Sequence, residues 1–291
     1  MRARYPLKLL APRAHQAKSA LIYALSYGGG LVSGDCPSMK VRVKPGAALT
    51  ILTQGSTKVS SNHIDSKQGQ SLSATTFQRV DARVAENAVL LQLPDPVTCF
   101  AGADFVQRQR YLLADSSSSV VIADWFTSGR HDAHGESWQF HKYDSSIELY
   151  RHGRLVLSDR TLLQMDDDDN GDDDEDDAPT STATRLPGYA KTLEPYRCHA
   201  TVIVYGGRVR TVVERVRAEY SKVSIAPTKA SHTTSTVQEH VWAMSDTRDK
   251  AGIVLRAAST TTECMRLWLR ELLCDLEPIC GDLVYERIFT T

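Results

Sequence analysis

The chain has 291 residues, 42% of them hydrophobic and 24% charged, with a formal net charge of −1. That length supports one large domain or two ordinary ones with a substantial core. Apolar runs such as Val120 to Ala123 are far too short to cross a bilayer, and no uninterrupted apolar segment follows the basic start Met1-Arg2-Ala3-Arg4. Neither a membrane span nor a secretory leader is expected, and the cytosol is the default address. The six cysteines (Cys36, Cys99, Cys198, Cys264, Cys274, Cys280) form no C-x-x-C pair. Reduced, buried thiols are expected of them. Ten of the twelve residues from Asp166 to Asp177 are acidic, so taking that run out of a net charge of −1 leaves +9. The mildly basic remainder suits acidic protein partners. With acids interleaved and aromatics few, it leaves no nucleic-acid footprint.

Tyr5 to Leu10 alternates as a strand does, and Ala20 to Ser26 predicts a second strand ending at Gly28-Gly29-Gly30. No G-x-x-x-x-G-K-[ST] spacing accompanies these glycines and no helix signal follows Gly34-Asp35. A turn that needs positive φ is favoured over a phosphate cradle. Val41 to Val43 and Leu49 to Thr53 flank Lys44-Pro45-Gly46 and predict a hairpin. Further β-rich pieces run from Leu72 to Phe77 and from Ala88 to Leu93, with Pro94 and Pro96 breaking the second. Val120-Val121-Ile122 opens a strand that carries Asp124 and Trp125 at its far end. A polar, glycine-punctuated segment from Ser128 to Glu136 follows. Ile147 to Tyr150 and Leu155 to Leu157 then pair across His152-Gly153, a two-residue turn with Gly second. The spacing is that of a mainly β architecture, a meander of many short strands whose loops collect Asp124, Arg130, His131, His134, Glu136 and Asp159.

The run from Asp166 cannot bury apolar surface and repels itself, so residues 166–185 are expected to be an acidic disordered insertion in a single domain spanning 1–291. Thr201 to Tyr205 resumes as a strand. Val209, Val212, Val213 and Val216 recur at the spacing of one buried helix face, and Ile253 to Ala257 returns to strand. The clearest helix follows near the C-terminus. Thr260-x-x-Glu263 predicts a capping box, and Met265, Trp268, Leu269, Leu272, Leu273 and Leu276 form an apolar stripe ended by Pro278 and Gly281. Arg266, Arg270 and Glu271 face away from that stripe and offer a docking surface.

Three chemistries compete for these residues. Asp124 and Glu136 could be the carboxylate pair of a carbohydrate-active enzyme, but strand-end acids usually pair with arginine, and Arg130 lies between them. No G-x-S-x-G elbow supports a hydrolase triad. His131, His134 and Glu136 lie within six residues, with His141 and His152 nearby, yet without the H-E-x-x-H pattern of a zinc hydrolase. A closed site wants four convergent ligands, so transient contact with a borderline cation is the metal chemistry these residues allow.

Four ordered blocks sharpen the choice. They are Leu25 to Asp35 (LSYGGGLVSGD), Leu52 to Val59 (LTQGSTKV), Asp124 to Trp138 (DWFTSGRHDAHGESW) with R-H-G-R-L-V-L-S-D after it, and Arg256-Ala257-Ala258 through Arg270. Together they closely resemble the urease accessory protein D family, called UreH in some bacteria. The resemblance implies a β-helix-like fold with helices towards the C-terminus, and no enzyme. It implies a scaffold that binds the urease accessory protein F, through it the nickel-carrying GTPase G, and apo-urease itself. No cofactor would be tightly bound; Ni²⁺ would pass transiently through a water-filled interior. By motif, the resemblance carries nickel-path roles onto Asp35, Asp124 and Asp159, and tunnel-lining roles onto Ser56 and Thr57; Glu136 is added because it lies in the same matched segment. His131, His134 and His141 are weaker candidates. The alternative is an assembly scaffold whose acids are structural.

Overall fold

The computed structural model describes residues 2–13, 16–61, 74–130, 135–165, 187–225 and 237–288. His131, His134 and the acidic segment 166–185 lie outside the described residues. After β1 (Leu7–Leu10) the chain winds through four coils. The first holds β2 (Ser19–Ser26), β3 (Gly30–Val32) and β4 (Ser38–Val43), and the second β5 (Ala48–Leu52), β6 (Thr57–Ser60) and β7 (Thr76–Val84). The third holds β8 (Val89–Gln92), β9 (Val97–Cys99) and β10 (Asp104–Leu113), and the fourth β11 (Ser119–Thr127) and β12 (Lys142–Arg151). Equivalent strands stack in parallel from coil to coil: β2–β5–β8–β11 on one side, β4–β7–β10–β12 on the other, and β3–β6–β9 at the corner. The protein is mainly β and β-helix-like, as the resemblance implies.

The hairpin expected at Lys44-Pro45-Gly46 is instead a coil corner. β4 and β5 belong to different sheets, and each pairs in parallel with a strand one coil later. Turn chemistry is the same in both cases, with Gly46 at φ 70. The meander is limited to antiparallel pairs of consecutive strands flanking the coils' parallel stacks: β1–β2, the strand after β12, and a pair near the C-terminus. β13 (Arg154–Gln164) folds back on β12 across His152 and Gly153, at φ 50 and 72, which is the twist a two-residue hairpin requires.

Antiparallel strands extend the larger sheet: β14 (Cys198–Tyr205) pairs β11, β16 (Gly252–Ser259) pairs β14, and β15 (His240–Asp246) forms the edge. A short helix α1 (Gly188–Leu193) precedes β14, and α2 (Arg210–Ile225) follows it. Val209, Val212, Val213 and Val216 are all buried, as their spacing predicts. α3 (Thr262–Leu272) is capped by Thr261, whose Oγ1 accepts the Cys264 N–H at 3.1 Å, one residue later than the box expected at Thr260. The stripe then continues past a break at Leu273 into α4 (Glu277–Cys280) and α5 (Asp282–Ile288). Cys99, Cys198 and Cys280 are buried, whereas Cys36 is exposed.

The result is three layers, helices on an eleven-stranded sheet on a five-stranded sheet. Strand alternation sends Leu91, Val121 and Val202 of the large sheet towards Met265 and Leu269 of α3. The opposite face meets the five-stranded sheet in two unlike apolar clusters. One is aliphatic, with Val43, Leu90, Leu113, Val120 and Ile147; the other is aromatic, with Phe105, Phe126, Trp138, Phe140 and Tyr143. Between them lies a buried polar band of Gln92, Gln107, Gln109 and Ser145.

Candidate functional site

Asp124 adds a carboxylate to that band. It follows Ile122 and precedes Phe126 on β11, so strand parity aims it at the five-stranded sheet. Gln107 donates to its Oδ1 at 3.1 Å and Ser145 to its Oδ2 at 2.5 Å, with the Tyr143 hydroxyl 3.4 Å from Oδ1. Gln107 and Ser145 are Cα partners on β10 and β12 and also bond each other at 3.1 Å. Among the described residues no cationic side chain bonds the Asp124 carboxylate. Burial pushes its pKa up, the hydrogen bonds from Ser145, Gln107 and Tyr143 pull it back, and the nearby charge of Asp159 raises it again. Further along, Gln109 Oε1 accepts from Gln92 Nε2 at 3.2 Å and from the Tyr111 hydroxyl at 2.7 Å. Gln92 Oε1 is buried and has no protein partner. An amide oxygen left so costs about 1–3 kcal/mol unless water or a ligand meets it.

There is room for that water. A cavity of about 50 Å³ is bordered by Asp124, Gln92, Gln107, Gln109, Gln78 and Thr57. That is room enough for water, since a single molecule needs about 10–15 Å³. A second cavity of about 60 Å³, reaching Pro6, Leu31 and Arg79, shares the wall made by Ala24, Met39, Thr53, Thr57 and Gln78. Thr53 and Asp95 also border an open groove of about 420 Å³ on the helix side. The two cavities and the groove thus share wall residues between the surface and Asp124.

The structure gathers some of the residues singled out from sequence and separates others. Asp159 on β13 is near enough to Asp124 to feel its charge, and is paired with Arg256 of β16. Arg256 is the register partner of Thr201, itself the partner of Asp124. The Asp159–Arg256 pair thus ties the two sheets together beside the band. Thr57 lines both cavities, whereas Ser56 lines neither. Asp35 stands apart, half-buried in the turn after β3, where its Oδ2 accepts the Val32 N–H at 3.0 Å. Glu136 is buried, with Oε1 accepting the Ala101 N–H and Oε2 gripped by Arg130 at 2.9 and 2.6 Å. Arg130 stacks on Phe100 at 4.3 Å. With both oxygens engaged, Glu136 ties Arg130 to Ala101, and it shares none of its bonding partners with Asp124 as an acid–base pair would.

Arg266 corrects the expected docking surface. It is only 8% exposed and reaches back to Asp95 at 3.1 Å. Asp95 in turn accepts the Gly55 N–H at 2.9 Å, so Arg266 braces the loop at the mouth of the cavities. Its position beside Met265 brings its long stem along the apolar stripe. Arg270 and Glu271 do face outward, with Leu267 54% exposed beside them.

Sequence reading missed Gln92, Gln107, Gln109, Tyr143 and Ser145. The signal was strand parity in FVQRQRYLL: once Arg108 and Arg110 face water, Gln107 and Gln109 must face in. Among the described residues no three His, Cys, Asp or Glu side chains gather to hold a metal ion, and no helix is long and apolar enough to cross a membrane. Among the described residues the arrangement is that of a β-helix-like protein with a polar seam bordered by cavities, in which Asp124 bonds only neutral donors and does not pair with Glu136.

The sequence comparisons agree with this class. Residues 1–285 match the family described as UreD urease accessory protein, and the chain belongs to that family. It is 34% identical to urease accessory protein D of Oryza sativa subsp. indica, over 97% of this chain and 89% of the relative. It is 32% identical to urease accessory protein D of Arabidopsis thaliana, over 97% and 92%. It is also 32% identical to urease accessory protein 4 of Cryptococcus neoformans var. grubii, over 93% and 83%. Membership carries a role in urease maturation.

Proposed function

We propose that this protein is a non-catalytic scaffold and nickel conduit, which passes Ni²⁺ through its polar seam to apo-urease. The observation that carries the reading is Asp124, a part-buried carboxylate that bonds only neutral donors among the described residues and borders a cavity. Such a group is costly to ionise alone and is relieved by an arriving cation. The amide and hydroxyl oxygens of Gln92, Gln107 and Ser145 suit a cation held loosely, because weak successive contacts let it leave again. On this reading Ni²⁺ passes the Thr53–Thr57 wall, meets Asp124, and leaves towards Asp159 after displacing Arg256. Glu136 and Asp35 serve the fold. The accessory protein F docks on the exposed side of α3 around Leu267, Arg270 and Glu271, and brings the GTPase G with it. The work is cytoplasmic, where those partners would act.

The alternative is a scaffold that joins urease to the F and G proteins without touching nickel, and the exposed Leu267 beside Arg270 and Glu271 is what favours it. One experiment separates the two. Asp124→Asn and Arg270→Glu are each co-expressed with urease and its accessory proteins, and both co-purification and nickel per urease are measured. A conduit requires that Asp124→Asn keep the complex and lose nickel, while Arg270→Glu loses the complex. Full nickel loading by Asp124→Asn would leave only the assembly role.

A further inference from the structure

Among the described residues, the outer face of the five-stranded sheet carries exposed Lys40, Arg42, Arg79, Arg83 and Arg110. Strand register sets Arg79 beside Arg108 and Arg42 beside Arg83, each as direct Cα partners. Like charges directly opposite on neighbouring strands are unfavourable unless something else compensates them. The acids of this face are already in use. Asp81 is held by Arg79 at 2.7 Å, and Asp144 by Arg108 at 2.6 Å and Arg160 at 2.9 Å. Glu148 accepts the Tyr150 hydroxyl at 3.0 Å. Lys40, Arg42 and Arg83 are exposed and have no ionic or hydrogen-bonding partner among the described residues. Arg42 and Arg83 border a shallow groove of about 450 Å³ whose floor includes Leu112 and whose rim includes Glu86. On the same face Leu155 is 52% and Leu162 46% exposed, opposite Tyr150 and Asp144 of the neighbouring strand.

We infer that this face is a docking surface for an acidic protein surface. Apolar anchors set among unpaired cations have the make-up of a protein interface, and guanidinium pairs side by side match carboxylate pairs bidentately. The partner's carboxylates would supply the compensation that the Arg42–Arg83 row lacks. A polynucleotide is disfavoured because Asp81, Asp144 and Glu148 interrupt the positive field. The inference does not depend on the nickel path, which runs through the inner face of the sandwich.

The test measures binding of a fluorescein-labelled oligo-glutamate peptide to the full chain by anisotropy, at low and at moderate salt. Wild type should bind, with affinity falling as salt rises. Arg42→Glu/Arg83→Glu should lose roughly tenfold or more. Arg42→Gln/Arg83→Gln, which adds no like charge, should lose less in the same direction. Arg210→Glu/Arg248→Glu, which makes the same change in net charge on exposed positions elsewhere, should stay within about twofold of wild type. The inference is overturned if wild type does not bind, if both reversal variants lose equally, or if a charge-matched oligonucleotide binds more tightly than the peptide.

Discussion

Asp124 and Asp144 are both acids on strands of one sandwich, yet they live in opposite electrostatic worlds. Asp144 points out of the five-stranded sheet between Arg108 and Arg160. Burial opposes its charge, but hydrogen bonds from Arg160 and Arg108 outweigh that and hold its pKa at about 2. Asp124 points into the sandwich, has only amide and hydroxyl donors, and its pKa is raised. A carboxylate satisfied by fixed arginines stabilises the fold and has nothing left to offer. One met only by neutral donors weakens the fold and keeps an attraction for a cation. The same contrast explains why Glu136, gripped by Arg130, falls on the structural side.

Replacing Asp144 by Ala should give the largest stability change. It leaves Arg108 and Arg160 without their shared acid and should lower unfolding stability by about 2 kcal/mol in urea melts at neutral pH. The loss should shrink as pH falls below about 4 towards 2, because a depressed carboxylate stabilises above its unfolded pKa and loses that effect as pH drops through its folded value. Asp124→Asn should run the other way. A raised carboxylate favours the folded state at low pH and costs stability as pH climbs past its unfolded pKa. The variant should therefore match or exceed wild type by about 1 kcal/mol at pH 7, with the difference closing towards pH 4. A loss of stability at pH 7 would mean that Asp124 has a charged partner after all. Arg256→Gln should be the mildest for folding, under about 1 kcal/mol because Arg256 is more than half exposed. Even so, it should quicken nickel transfer to apo-urease in a stopped time course. An unchanged rate would remove Arg256 from the exit.

Much of this was legible in the sequence, for reasons of local physics. The β12–β13 hairpin, the valine face of α2 and the apolar stripe of α3 each follow from one turn or one periodicity. What escaped depends on contacts between distant coils. Lys44-Pro45-Gly46 reads as a hairpin because a corner and a hairpin share turn chemistry, and only pairing one coil away distinguishes them. Arg266 reads as outward because its charge suggests water, whereas Asp95, 171 positions earlier, draws it in. Asp124 and Asp159 were picked out by resemblance. Their proximity depends on sheets facing each other, and the glutamines beside them were readable only once the parity of Arg108 and Arg110 was fixed.

The claim at the centre is that Asp124 meets a divalent cation inside the sandwich. The most direct measurement is an anomalous difference map at the nickel edge, from crystals of the full chain soaked in millimolar Ni²⁺. The account predicts a peak in the cavity beside Asp124 and Gln92 that vanishes in Asp124→Asn. Nickel found only at surface carboxylates and imidazoles, with that cavity holding water alone, would contradict it.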